Sequence, residues 1–154
     1  MRRLAGPARR VWPLLVDARN HAAWIPLTRV DSDGPPAVGT EVVAVSAPGA
    51  RRGGRGVVDR MRITRFDPPA PGRMGTAVFT KLGPVLLGDA TIELVDAGDT
   101  CVVRWSERVH LAGPVPAALT AAVLVPVLDS MLRLALTRAG AELAGAELGG
   151  AGTR

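Results

Sequence analysis

Two carboxylates and a histidine are the residues of this chain whose surroundings could give them chemistry. The run Thr100 to His110 alternates so that Cys101, Val103, Trp105, Glu107 and Val109 share one face of a strand. Arg104, Ser106, Arg108 and His110 take the other. The apolar face must turn inward and carries Glu107 with it. In the run Val57 to Phe66, Asp59 shares a face with Val57, Met61 and Ile63, which makes it a second inward carboxylate. A buried carboxylate without a partner costs several kcal/mol or neutralises by a raised pKa. Each therefore calls for an arginine, a backbone N–H, water or a ligand group. With such a partner it is a structural pair; with a ligand it orients a hydroxyl or works as acid or base. His21, just before Trp24-Ile25-Pro26, is either a general base at a cavity entrance or a residue that packs or caps a helix.

Other chemistries lack their residues. No Ser-His-Asp spacing, glycine-rich phosphate loop or metal-ligand set is present, and no cofactor or metal is expected. The segment GARRGGRG, Gly49 to Gly56, lacks the Lys-Ser/Thr of a phosphate loop and reads as a flexible cavity rim or a weak site for an anionic head group. Cys101 is the only cysteine, which rules out a disulfide framework and fits a reducing cytoplasm. At the N-terminus the apolar run WPLLV is too short for a signal peptide. The formal charge of +5 invites a nucleic-acid reading, but the basic residues are scattered and aromatics are only 3%, too few for stacking platforms. Lys81 is the only lysine among 19 basic residues, a bias typical of a GC-rich genome.

The elements that must position these side chains follow from the punctuation. Pro7 opens a short helix carrying Val11, Leu14 and Leu15, and His21 to Trp24 forms a second helical turn stopped by Pro26. Strands are expected at Thr28–Ser32, Glu41–Ala47, Val57–Phe66, Gly72–Lys81, Leu86–Val95 and Thr100–His110, with short connections that favour an antiparallel meander. Leu124, Leu128, Met131, Leu132, Ala135, Leu136, Ala139 and Leu143 then recur at helical spacing. That predicts an amphipathic helix from Pro126 to about Glu147, with Pro126 at a kink or in the first turn. The uncharged stretch from Leu111 to Leu128 borders on a membrane span, but Gly113, Pro114, Pro116 and Pro126 interrupt it, and no stable membrane insertion is expected. Residues 1–148 read as one domain, with 149–154 as a flexible tail.

This order resembles the helix-grip fold. VWPLLVDARNHAAWIPLTRV (Val11 to Val30), VVDRMRITRFDPP (Val57 to Pro69), VLLGDATIEL and VVRWSERV resemble the polyketide cyclase/dehydrase and lipid-transport branch of the START-like superfamily, also called SRPBCC. The resemblance implies an α+β domain whose curved antiparallel sheet wraps a long C-terminal helix around an apolar cavity. Only Met1 to Ala5 precede Gly6-Pro7, so the first strand is expected to be truncated or the natural start to lie upstream. An incomplete first strand would expose an edge of the seventh and favour a homodimer.

The ligand-binding set expected on these grounds is Trp105, Glu107, Val103, Met61, Asp59, Leu128, Met131 and Leu132. Binding or transport of a hydrophobic small molecule is the leading function. A cyclase, aromatase or dehydratase using Glu107, Asp59 or His21 is the alternative, and a protein-interaction module is a third.

Overall fold

The computed structural model describes residues 1–114 and 117–150. Its strands are β1 (Arg2–Ala5), β2 (Thr28–Ser32), β3 (Glu41–Ser46), β4 (Val57–Asp67), β5 (Gly75–Pro84), β6 (Leu86–Ala97) and β7 (Thr100–Leu111). Helices α1 (Ala8–Val16) and α2 (Ala18–Trp24) lie between β1 and β2, and α3 (Ala117–Gly150) ends the chain. All seven strands form one antiparallel sheet in the order β1-β7-β6-β5-β4-β3-β2. This is the expected helix-grip arrangement, with α3 packed along β7, β1 and α2.

The first strand is short but real. Arg2–Ala5 pairs with Val103–Thr100, and from Arg104 onward β7 has no strand partner on that side among the described residues. The last helix is longer than its pattern predicted. It begins at Ala117 and carries Pro126 in its interior. A tail beginning at residue 149 is likewise not seen, since α3 continues to Gly150; residues 151–154 lie outside the described residues. Among the described residues no helix is long and apolar enough to cross a membrane.

The core lies where α1 and α3 meet the sheet. Val11, Leu15, Ile63, Ile92, Leu94 and Val103 are buried there with Ala135 and Ala139 of α3. Leu132, Ala135, Leu136, Ala139 and Leu143 form the buried stripe of that helix, at spacings of three and four, while Asp129 and Arg133 pair on its exposed side. A register shift between Ile63 and Arg65 makes Thr64 and Arg65 both face outward, and Phe66 turns inward against Trp12 at 5.6 Å. Cys101 is a buried core residue whose thiol burial pushes up to about 11, so it packs as a small hydrophobe.

Helix α2 sets the near wall of the cavity, and its ends are tied down. Asp17 accepts from the Arg19 backbone N–H at 3.1 Å, and the Arg19 side chain holds the Asp17 carboxyl below its usual range. At the other end, Arg138 of α3 donates to the Trp24 carbonyl at 2.9 Å, and Trp24 Nε1 donates to Glu142 at 2.9 Å. The glycine-rich rim supplies the third tie. It contains a 3-10 turn at Ala50–Arg52, and Arg51 donates to the carbonyls of Ala22, Ile25 and Thr28. The loop expected to be a loose rim or an anion site thus has its central arginine committed to α2. Arg51→Ala is expected to destabilise the fold by about 1.5–3 kcal/mol, the scale of charge-assisted hydrogen bonds, measured by urea denaturation. An unchanged midpoint would mean these bonds add nothing to water.

Candidate functional site

Between the concave sheet, α2 and α3 lies a cavity of about 370 Å³. Ile25, Val30, Phe79, Ala90, Leu128 and Met131 are among its apolar lining. The expected site residues divide in the structure. Asp59, Met61, Trp105, Glu107, Leu128, Met131 and His21 all line this space. Val103 does not: it is fully buried in the core, in register with Leu94 and Arg2. Leu132 does not either; it turns toward a separate groove with Arg2, Arg133 and Leu136 on the other side of Trp105. Alternation selects a face correctly but says nothing of depth along it, and these two lie too far along theirs.

The residue that sequence reasoning missed is Lys81. Its side chain is 3% exposed and its ammonium forms an ion pair with Asp59 Oδ2 inside the cavity. The signal was available: Ala77, Phe79 and Lys81 alternate on β5, which puts the single lysine of an arginine-rich chain on the inward face. Thr28 and Ser46, whose hydroxyls bond each other at 2.8 Å, add a small polar spot on the β2–β3 side.

Asp59 therefore has its partner, and Glu107 has none among the described residues. Glu107 Oε2, Asp59 Oδ1 and Trp105 Nε1 are buried polar atoms with no hydrogen-bond partner among the described residues. Burial pushes the Glu107 carboxyl above its ordinary range; the Lys81 charge opposes that shift and the Asp59 charge adds to it. The residues that carry these atoms all line the cavity, together with one lysine already held by a carboxylate.

His21 is placed for packing. Its Nε2 lies 2.8 Å from the Leu15 carbonyl, an acceptor, so Nε2 carries the hydrogen and donates. Its ring lies 4.6 Å from that of Trp105 and 5.6 Å from that of Trp24. Burial pulls its pKa down to about 4. It is neutral at pH 7, with one nitrogen committed to the backbone, and it fixes the Trp105 ring at the cavity wall.

Comparison with known proteins places this geometry. The family model described as polyketide cyclase/dehydrase and lipid transport matches residues 2–144. A solution NMR structure of a Bordetella parapertussis protein shares the fold, with a TM-score of 0.52 and 23% identity over 99% of this chain and 83% of that one. No curated protein gives a significant match. The family match spans every element that builds the cavity, from β1 through most of α3, and this chain belongs to the polyketide cyclase/dehydrase and lipid transport family.

Proposed function

We propose that the protein binds a hydrophobic small molecule in this cavity, a lipid, polyketide or other aromatic metabolite, and carries it. One observation supports this above the rest: a mainly apolar space of about 370 Å³, walled by both sheet and helix, with its charged groups gathered on β4, β5 and β7 and only His21 and the Thr28–Ser46 hydroxyl pair polar elsewhere. Ligand sites are built this way, with apolar area supplying the driving force and a few polar atoms fixing orientation. Of the three tryptophans, Trp105 alone lines the cavity, while Trp12 and Trp24 are buried in the core. A neutral apolar probe, N-phenyl-1-naphthylamine, is expected to quench tryptophan emission at micromolar concentration, and Trp105→Phe to remove most of that quench. No binding of this probe, together with no co-purified compound in native mass spectra, would sink the proposal.

A second reading, a cyclase or dehydratase, is favoured by the raised Glu107 carboxyl opposite the Lys81–Asp59 pair, since an acid and a base are then close together. Glu107→Gln separates the two. In a carrier it changes affinity by about 1 kcal/mol, the worth of one hydrogen bond. In an enzyme it leaves binding intact and abolishes conversion of the co-purified compound.

A further inference from the structure

The polar end of the cavity has a definite hydrogen-bond demand. Asp59 Oδ1 lacks a donor, since its sister oxygen holds Lys81; Trp105 Nε1 lacks an acceptor; Glu107 Oε2 is also unpartnered among the described residues. The floor between these groups carries no large side chain. Lys81 registers with Gly88, and Glu107 with Ala90, on the strand that separates β5 from β7. Gly88 has φ +115°, and a Cβ there would lie 2.0 Å from the Arg108 carbonyl oxygen. No side chain fits at that position because the backbone of β7 closes on it, and Ala90 is the small β6 residue that lines the cavity beside Glu107.

We infer that the ligand presents an uncharged hydroxyl, an alcohol or a phenol, to Asp59, Glu107 and Trp105, and that free carboxylic acids are rejected; this rests on the hydrophobic-ligand reading above. A hydroxyl donates to a carboxylate oxygen and accepts from an indole N–H, so it meets both kinds of demand. An ether or ketone has no proton to give Asp59. A carboxylate would bring a third acidic group to a site with one ammonium, already paired, and an unpaired buried charge is strongly disfavoured.

Three probes of nearly equal shape test this at pH 7 by displacement of N-phenyl-1-naphthylamine: 2-naphthol, 2-methoxynaphthalene and 2-naphthoate. The naphthol is expected to bind about tenfold more tightly than either of the others, the scale of one to two hydrogen bonds in a dry site. In the double variant Lys81→Met/Asp59→Leu its advantage over the ether should shrink to about twofold. Tightest binding by 2-naphthoate would overturn the inference and make Lys81 an anion site. Equal binding of all three would overturn it while leaving the hydrophobic-ligand reading intact. If N-phenyl-1-naphthylamine fails to bind and no compound co-purifies, both fall together.

Discussion

Lys81→Met is expected to destabilise the fold by about 3–5 kcal/mol, and the double change Lys81→Met/Asp59→Leu to recover most of that loss. Met keeps the length and apolar stem of lysine, so little packing is lost. What it removes is the ammonium that compensates Asp59, a side chain only 17% exposed and facing a largely apolar cavity. The carboxylate is then left uncompensated beside Glu107, whose burial already penalises its charged form. Removing both charges takes away the desolvation cost with the attraction, and buried pairs replaced by apolar residues are often neutral for stability. Urea unfolding of the wild type and both variants decides the matter, with equal m-values as the check that the same surface unfolds. A double variant as unstable as the single would show that lysine's role is packing or solvation, and that the pair does not govern this end of the cavity.

That pair also marks the limit of what the sequence disclosed. The inward faces of β4 and β7 were legible because a period of two is unmistakable over ten or more residues, and Asp59 and Glu107 followed from it. Lys81 lies on a strand with the same alternation, yet a lysine reads as a surface residue until the β4–β5 register, with Met61 beside Lys81, sets it diagonal to Asp59 on the inward face. Composition held the clue, since a chain that uses arginine everywhere else keeps its one lysine inside. Lysine is a compact ammonium on a flexible stem and fits where a planar guanidinium would crowd a ligand. Val103 and Leu132 were misplaced for a different reason: depth along a face depends on where the helix crosses the sheet, a long-range property no local pattern carries. The start of α3 was misread because Pro126 looked like a boundary, whereas the described helix runs through it from Ala117. Arg51 could not have been read at all, because its partners are backbone carbonyls of α2 and β2, more than twenty residues away in sequence.

Acidification from pH 6.5 to about 4 is expected to remove about 3 kcal/mol of stability through His21 alone, as a pKa moved from 6.5 to about 4 implies. Burial is the main cause, opposed by the bond to Leu15 and the charge of Asp17 and reinforced by the charge of Lys81. The unfolded chain takes up the imidazole proton near pH 6.5, while the folded chain refuses it until about pH 4. The contribution is therefore fully present above pH 6.5 and is lost as pH falls through the folded value. Glu107 acts with the opposite sign. Its raised carboxyl contributes fully below its ordinary value of 4.5 and loses that contribution as pH rises, so it flattens the lower part of the same limb. Asp17, held low by Arg19, begins to matter only near its ordinary value of 3.8 and below. The measurement is therefore the pH dependence of unfolding free energy in Glu107→Gln, with and without His21→Gln. The glutamine amide still donates toward the Leu15 carbonyl but cannot titrate, and the slope between pH 6.5 and 4.5 should largely vanish with it. Identical slopes in the two proteins would mean that His21 is solvated in the fold. A loss of slope has a consequence for function: a base this weak, with one nitrogen bonded to the backbone, is ill suited to proton transfer at neutral pH, so an acid–base role for His21 in the cavity would be ruled out.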